Sequence, residues 1–410
     1  NRLDMSLTPG QLMLIAAVQV PLALAGAVRV VCLGAGGMFT KELLVLSVVG
    51  VACALAGAWL GLHALHRLPD RAVRTVVLAA MILGIELAAR IGVAEHSRRR
   101  GQGFLPSSLA GSFGAVITAA RLLGLSRDQT VHALGINYAQ ISGNRQALLD
   151  ASLTKRLQPA FAVRSALWAV DLARTGITGP HRIFEGDAGY FKTYMNGDVP
   201  GVEELLKPFD VFAVEHVSLK RFPSCGAAHS HQNAAERLRE EEDLQPAAIE
   251  RVEIFNVASI VAEPFRLNEN PQVVVQFSTA WAVAHALLRG RATLADYTND
   301  AIRDDHEVCE LAQRIVTIPD PDDLPPPPQL HPVQAGSGGA ARARYRGVIV
   351  HTKDGRRLMR CEAPCQTFPP HPFPWPEVER KFHDCAAFAG LDSAETGATL
   401  RSLRDRMMES

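Results

Sequence analysis

The sequence predicts a mainly α protein: an all-helical domain interrupted by an inserted α+β module and preceded by two long apolar helices. Three observations carry this expectation. Between residues 76 and 174 apolar side chains recur at helical spacing, residues 251–257, 314–318 and 343–350 alternate apolar and polar, and helical spacing returns after Pro376. The implied boundaries are an apolar segment at 1–75, a helical domain at 76–212 completed by 372–410, and an α+β module at 213–371.

The apolar segment comes first. Residues 11–28 and 43–65 contain no Asp, Glu, Lys or Arg, and a bilayer needs about 20 apolar residues per helix. Arg29, Lys41 and Glu42 lie between them, and His63, His66, Arg67, Arg71 and Arg74 mark the far end, a placement that fits the positive-inside rule. Two readings follow: a membrane-associated pair of helices, or two helices buried in a large soluble core. Val30, Val31 and Leu33 before Gly34-Ala35-Gly36-Gly37 imitate a nucleotide-binding turn, but Phe39 stands where its third glycine belongs.

The helical domain is read from residues 76–93, 109–123, 127–140 and 160–174. Ser126 with Gln129 three residues on has the pattern of a capping box, while Gly124 and Gly176 fall where left-handed helix ends favour glycine. In the module, helices are expected at 224–240 and 279–288. Asp354-Gly355 between alternating runs reads as a hairpin turn, because glycine accepts the positive φ that such a turn needs. Four consecutive prolines, Pro325 to Pro328, make residues 319–339 a loop. A last helix is expected at 377–390.

Composition excludes several classes of function. Lys+Arg and Asp+Glu both number 42, so net charge is zero and nothing draws the chain to nucleic acid. Seven scattered cysteines do not make a disulfide framework, which points to a reducing, cytoplasmic setting. Cys361 and Cys365 lack a second ligand pair at zinc spacing, so no metal is expected.

Three clusters bear chemistry. Thr154-Lys155-Arg156 enters a helix behind Ser152; read alone, it is a carboxylate contact or merely a solvated helix start. Gly176-Ile177-Thr178-Gly179-Pro180, followed by Glu185-Gly186 and Gly189, permits tight turns and close backbone approach, which is structural or site-forming. In Lys220-Arg221-Phe222-Pro223-Ser224-Cys225, with His229, a lysine stands just before an expected helix N-terminus, whose free N–H groups suit an anion.

Together with residues 79–90, Leu123-Gly124-Leu125-Ser126 and His132 to Ile136, these clusters resemble the MmgE/PrpD family over residues 79–410, about four-fifths of the chain. That family includes 2-methylcitrate dehydratase, cis-aconitate decarboxylase and iminodisuccinate epimerase. The resemblance implies a helical domain with an α+β lid, a homodimer, a small di- or tricarboxylate substrate, and no metal or organic cofactor. It implies a lyase (hydro-lyase) or isomerase that removes a proton beside a carboxylate, which requires cations where negative charge develops. Carried over to matching positions, Lys155 and Lys220 are the catalytic candidates, each lowering the other's pKa. Arg156, Ser224, Cys225, His229, Gly186 and Ser278 are the substrate-binding candidates.

The departures are equally specific. Leu105 in Gly103-Phe104-Leu105-Pro106-Ser107 occupies the position of a family histidine, and Trp281 that of a tyrosine; neither serves as a base. The family's Asp- and His-rich N-terminal segment is replaced by apolar residues. Those residues resemble the C-terminal part of a TauE/SafE-type permease at Gly57-Ala58-Trp59-Leu60-Gly61 and Arg67-Leu68-Pro69-Asp70-Arg71, implying a junction near residues 75–83 and membrane contact through 1–75. The expected enzyme is thus impaired. The alternatives are a non-catalytic carboxylate-binding protein and a membrane-tethered permease fusion.

Overall fold

The structure is a computed structural model that describes residues 70–96, 103–195, 205, 212–213, 220–258, 264–325, 345–362 and 375–408. The chain divides into two units after Leu78; the first is described only at its end, as the start of a helix that continues into the second, Ala79–Ser410. The apolar stretches 11–28 and 43–65, with the permease-like run, lie outside the described residues, as does most of the proline-rich loop.

Helix α1 (Asp70–His96) contains one stretch, Thr75–Gly92, long and apolar enough to cross a membrane by length and composition alone. The same helix buries an ion pair: Arg90 Nε lies 2.6 Å from Glu86 Oε1, and both side chains are almost fully covered. α2 (Pro106–Leu122) starts on a proline, whose missing N–H is one that no helix start could satisfy internally. α1 crosses α2 through a glycine pair. A Cβ on Gly84 would sit 2.5 Å from the Gly114 carbonyl oxygen, so the two backbones approach as only glycine allows.

α3 (Arg127–Tyr138) opens with the expected capping box: Gln129 N donates to Ser126 Oγ at 3.2 Å, and Ser126 N donates to Gln129 Oε1 at 3.0 Å. α4 (Thr154–Arg174) packs on α2 and α3 through a face of Ala166, Ala169, Val170 and Ala173, small side chains that let three helices lie close. It begins six residues earlier than its periodicity indicated, with Pro159 inside its second turn. Gly124 (φ +69°) and Gly176 (φ +93°) end helices in the left-handed region. A second core cluster gathers Leu109 and Phe113 of α2 with Tyr190 and Phe191.

The α+β module begins with α5 (His229–Glu241) and strand β1 (Ile249–Phe255), followed by α6 (Thr279–Arg289), α7 (His306–Arg314) and β2 (Val316–Ile318). β3 (Arg346–Thr352) and β4 (Arg357–Glu362) form the expected hairpin, with Gly355 at φ +87°. The sheet order is β2-β1-β3-β4, antiparallel except for β1 with β2. That parallel pair needs a crossover, which α6 and α7 supply. Val252 and Ile254 pair with Val350 and Val348, and all four join Leu238, Trp281, Leu287 and Leu311 in the core. The alternating runs 251–257 and 343–350 therefore share one sheet.

α5 corrects the sequence expectation. It starts at His229 rather than near Ser224, behind a short 3₁₀ turn at Gly226–Ala228. Cys225 N donates to the Gln276 carbonyl at 2.7 Å, which holds Cys225 extended and delays the helix. After the module come α8 (Trp375–Phe388) and α9 (Ser393–Met408), the latter unread in the sequence. Ion pairs fasten α8 to the module: Arg291 to Glu377 at 3.0 Å and to Asp384 at 3.5 Å, and Arg221 to Glu377 at 3.5 Å.

Candidate active site

Two segments distant in sequence meet beside the end of the short helix Pro271–Gln276. Lys155, on the first turn of α4, places its Nζ 5.8 Å from the centre of the Phe277 ring, a cation–π contact between residues far apart in the chain. Burial holds its ammonium below the usual lysine range, the nearby Lys220 charge lowers it further, and Cys225 opposes them. Lys220 Nζ donates to the Ser224 carbonyl at 3.1 Å. Among the described residues neither lysine has a carboxylate partner.

The Ser224 carbonyl is shared. His229 Nε2 lies 3.3 Å from it and must carry the proton to donate, while Phe222 packs edge-on against the imidazole at 5.3 Å. Burial first, then the Lys220 charge, pushes the His229 pKa down to about 4. His229 is thus neutral at pH 7. Ser224 Oγ is turned away to Gln232 Oε1 at 3.2 Å.

The remaining candidates fall on either side of this cluster. Cys225 is drawn in by its bond to Gln276. Ser278 is buried and caps α6, its Oγ accepting from Trp281 N at 3.2 Å. Arg156 is exposed and donates to Gln272 Oε1 at 2.7 Å, another contact between residues far apart in the chain. Gly186 stays within its own turn: its N–H donates to the Arg182 carbonyl at 3.0 Å, and its carbonyl accepts from Gly189. No hydrogen bond among the described residues carries it to the lysines.

Leu105 is buried just before α2, and Trp281 is buried in the module core between Tyr297 and His285, ring centres 4.9 and 5.1 Å away. Neither supplies a proton-transfer group. Among the described residues no cluster of three or more His, Cys, Asp or Glu is grouped to hold a metal. One residue the sequence did not single out is Lys381 of α8, whose Nζ donates to the Lys220 carbonyl.

His231 is the second depressed imidazole. It bonds the Phe255 carbonyl at 2.9 Å, and burial takes its pKa to about 4. Since both folded-state values lie below the unfolded 6.5, the unfolded chain binds more protons between pH 6.5 and 4. Stability is complete above that window and declines as pH falls through it, by about 1–2 kcal/mol per histidine at pH 5. Urea unfolding at pH 7 and pH 5 measures this, and His231→Gln is expected to flatten the dependence.

Comparison with known proteins decides the family. The MmgE/PrpD N-terminal domain matches residues 42–203 and the MmgE/PrpD C-terminal domain matches residues 222–402, together most of the chain. The chain belongs to the MmgE/PrpD family. The match starts at residue 42 rather than at Ala79, and so takes in the Gly57 to Gly61 run on which the permease resemblance rested.

Among curated relatives, a cis-aconitate decarboxylase-like protein, oryM, of Aspergillus oryzae is 27% identical over 56% of this chain and 50% of its own length. The human cis-aconitate decarboxylase is 25% identical over 61% of this chain and 52% of its own, and that of Aspergillus terreus 26% over 58% and 52%. The chain spans about half the length of the curated relatives it matches. This MmgE/PrpD chain is thus similar to lyases named for a small tricarboxylate, at low identity.

Proposed function

We propose that the Lys155–Lys220 pair binds a small di- or tricarboxylate, and that the chain is a lyase or isomerase acting by proton removal beside a carboxylate. The observation that carries this is the meeting of two lysines far apart in the chain, Lys155 partly desolvated and neither with a carboxylate partner among the described residues. Like charges brought together cost free energy unless an anion occupies the space between them. Breaking a C–H bond next to a carboxylate moves its electron pair into that carboxylate and creates a dianion. Lys220 supplies fixed positive charge there. Lys155, with its lowered pKa, accepts the proton as the neutral amine and thereby becomes the second positive charge beside the dianion, and neutral His229 holds the Ser224 carbonyl in place.

A second reading, a carboxylate-binding protein with little or no turnover, is favoured by the buried Leu105 and Trp281, which put apolar or non-basic groups where the family resemblance implies a histidine and a tyrosine. A cytoplasmic homodimer completes the reading, with membrane contact through residues 1–75 as its alternative.

One experiment separates the cases. The chain is incubated with cis-aconitate in D₂O, following binding by calorimetry, and deuterium uptake and product by NMR. Binding with exchange or turnover supports the enzyme. Binding alone supports the second reading, and no binding overturns both.

A further inference from the structure

We propose that Lys381 of α8 is a third cationic contact of the same site, engaging the additional carboxylate of a tricarboxylate and so selecting it over a dicarboxylate. The inference rests on the Lys155–Lys220 pair being an anion site. It starts from a helix face. Glu377, Lys381 and Asp384 are spaced i, i+4 and i+7, so the lysine stands between two acids at the distances that ordinarily make helical ion pairs.

Neither pair forms. Arg291 takes Glu377 at 3.0 Å and Asp384 at 3.5 Å, and Arg221 also reaches Glu377, at 3.5 Å. Lys381 has no acidic partner among the described residues. Its Nζ turns instead to the Lys220 carbonyl, and its charge is felt at His229. Burial, more than any neighbour, lowers its own pKa. A half-buried lysine that leaves two well-placed acids to arginines, bonds the Lys220 carbonyl and lies near enough for its charge to be felt at Lys220 and His229 is held where an anion would complete its coordination. With α8 fastened to the module by three ion pairs, the ammonium has a fixed position relative to Lys220.

The test compares two inert anions that differ by one carboxylate, tricarballylate and glutarate, by calorimetry on the full chain. Lys381→Met is expected to raise the Kd for tricarballylate roughly tenfold or more, the loss of one charge-assisted contact, and that for glutarate less than about twofold. Lys381→Arg is expected to restore most of the tricarballylate affinity. A role limited to propping the Lys220 carbonyl would weaken both anions alike, and that result, or no change in either, overturns the proposal. Lys220→Met weakening both anions while Lys381→Met weakens neither would reject the third contact and leave the two-lysine site standing. If the unmodified chain binds neither anion, the site reading and this inference both fail.

Discussion

Lys220→Met is expected to weaken cis-aconitate binding roughly 30- to 100-fold while leaving the unfolding midpoint near that of the unmodified chain. The magnitude is that of a charged hydrogen bond lost from a partly desolvated site, about 2–3 kcal/mol. Lys220 also donates to the Ser224 carbonyl, the atom that His229 shares, so the variant tests electrostatics and local geometry together. Lys220→Arg separates them: it keeps the charge and a donor, and is expected to recover affinity to within about tenfold. Lys155→Met carries the complementary expectation, its Nζ being the one placed over Phe277. Calorimetric titration of the three variants decides the matter, and unaltered binding in Lys220→Met would refute the anion site.

The second expectation concerns stability. A Cβ on Gly179 would lie 2.6 Å from Ile136 N, and one on Gly135 would lie 2.7 Å from the Gly179 carbonyl carbon. Here α3 and the Gly176-Ile177-Thr178-Gly179-Pro180 turn touch backbone to backbone, so no flexible side chain can yield. Gly179→Val is expected to destabilise by about 3 kcal/mol or more, at the upper end of overpacking costs. Gly111 in α2 has open space around its Cβ position. Gly111→Ala is therefore expected to be neutral or to stabilise by about 0.5–1 kcal/mol. Urea denaturation of the two variants checks both the sign and the size of the difference, and equal effects would contradict the close crossing.

That contrast explains what the sequence disclosed. Elements that bury one face announce themselves by period, as in α2 with Leu109, Phe113 and Val116, or β3 with Val348 and Val350. Local chemistry was equally legible where one residue's side chain completes its neighbour's backbone, as in the Ser126–Gln129 box. The start of α5 was not, because the Gln276 carbonyl that holds Cys225 extended comes from a segment far along the chain. α7 was missed because nine residues give little more than two turns of pattern.

The same reasoning applies to the site. Lys155 and Lys220 were identified through family motifs, not through any local property that distinguishes them from surface lysines. Lys381 was invisible, since a lysine spaced i+4 from one acid and i−3 from another reads as an ordinary solvated helix face. Only the arginines that claim those acids set it apart. Gly179 shows the other side: its motif left a structural and a site-forming reading open, and the fold uses it as the contact point of a helix and a turn.

The order of the sheet has a consequence for crowding. Among the described residues its two rims are β2 and β4, and a rim strand presents unpaired backbone groups to any other copy of the chain. β2 is only three residues long, too short to template a long ladder. β4 carries Arg357 and Arg360, tied at 2.8 Å to Asp323 and at 2.7 Å to Glu241. Another strand approaching that rim would have to displace those ion pairs and bring a second row of guanidinium groups beside the first. The module thus keeps its apolar interior strands, β1 and β3, away from the ends at which fibrous stacking begins.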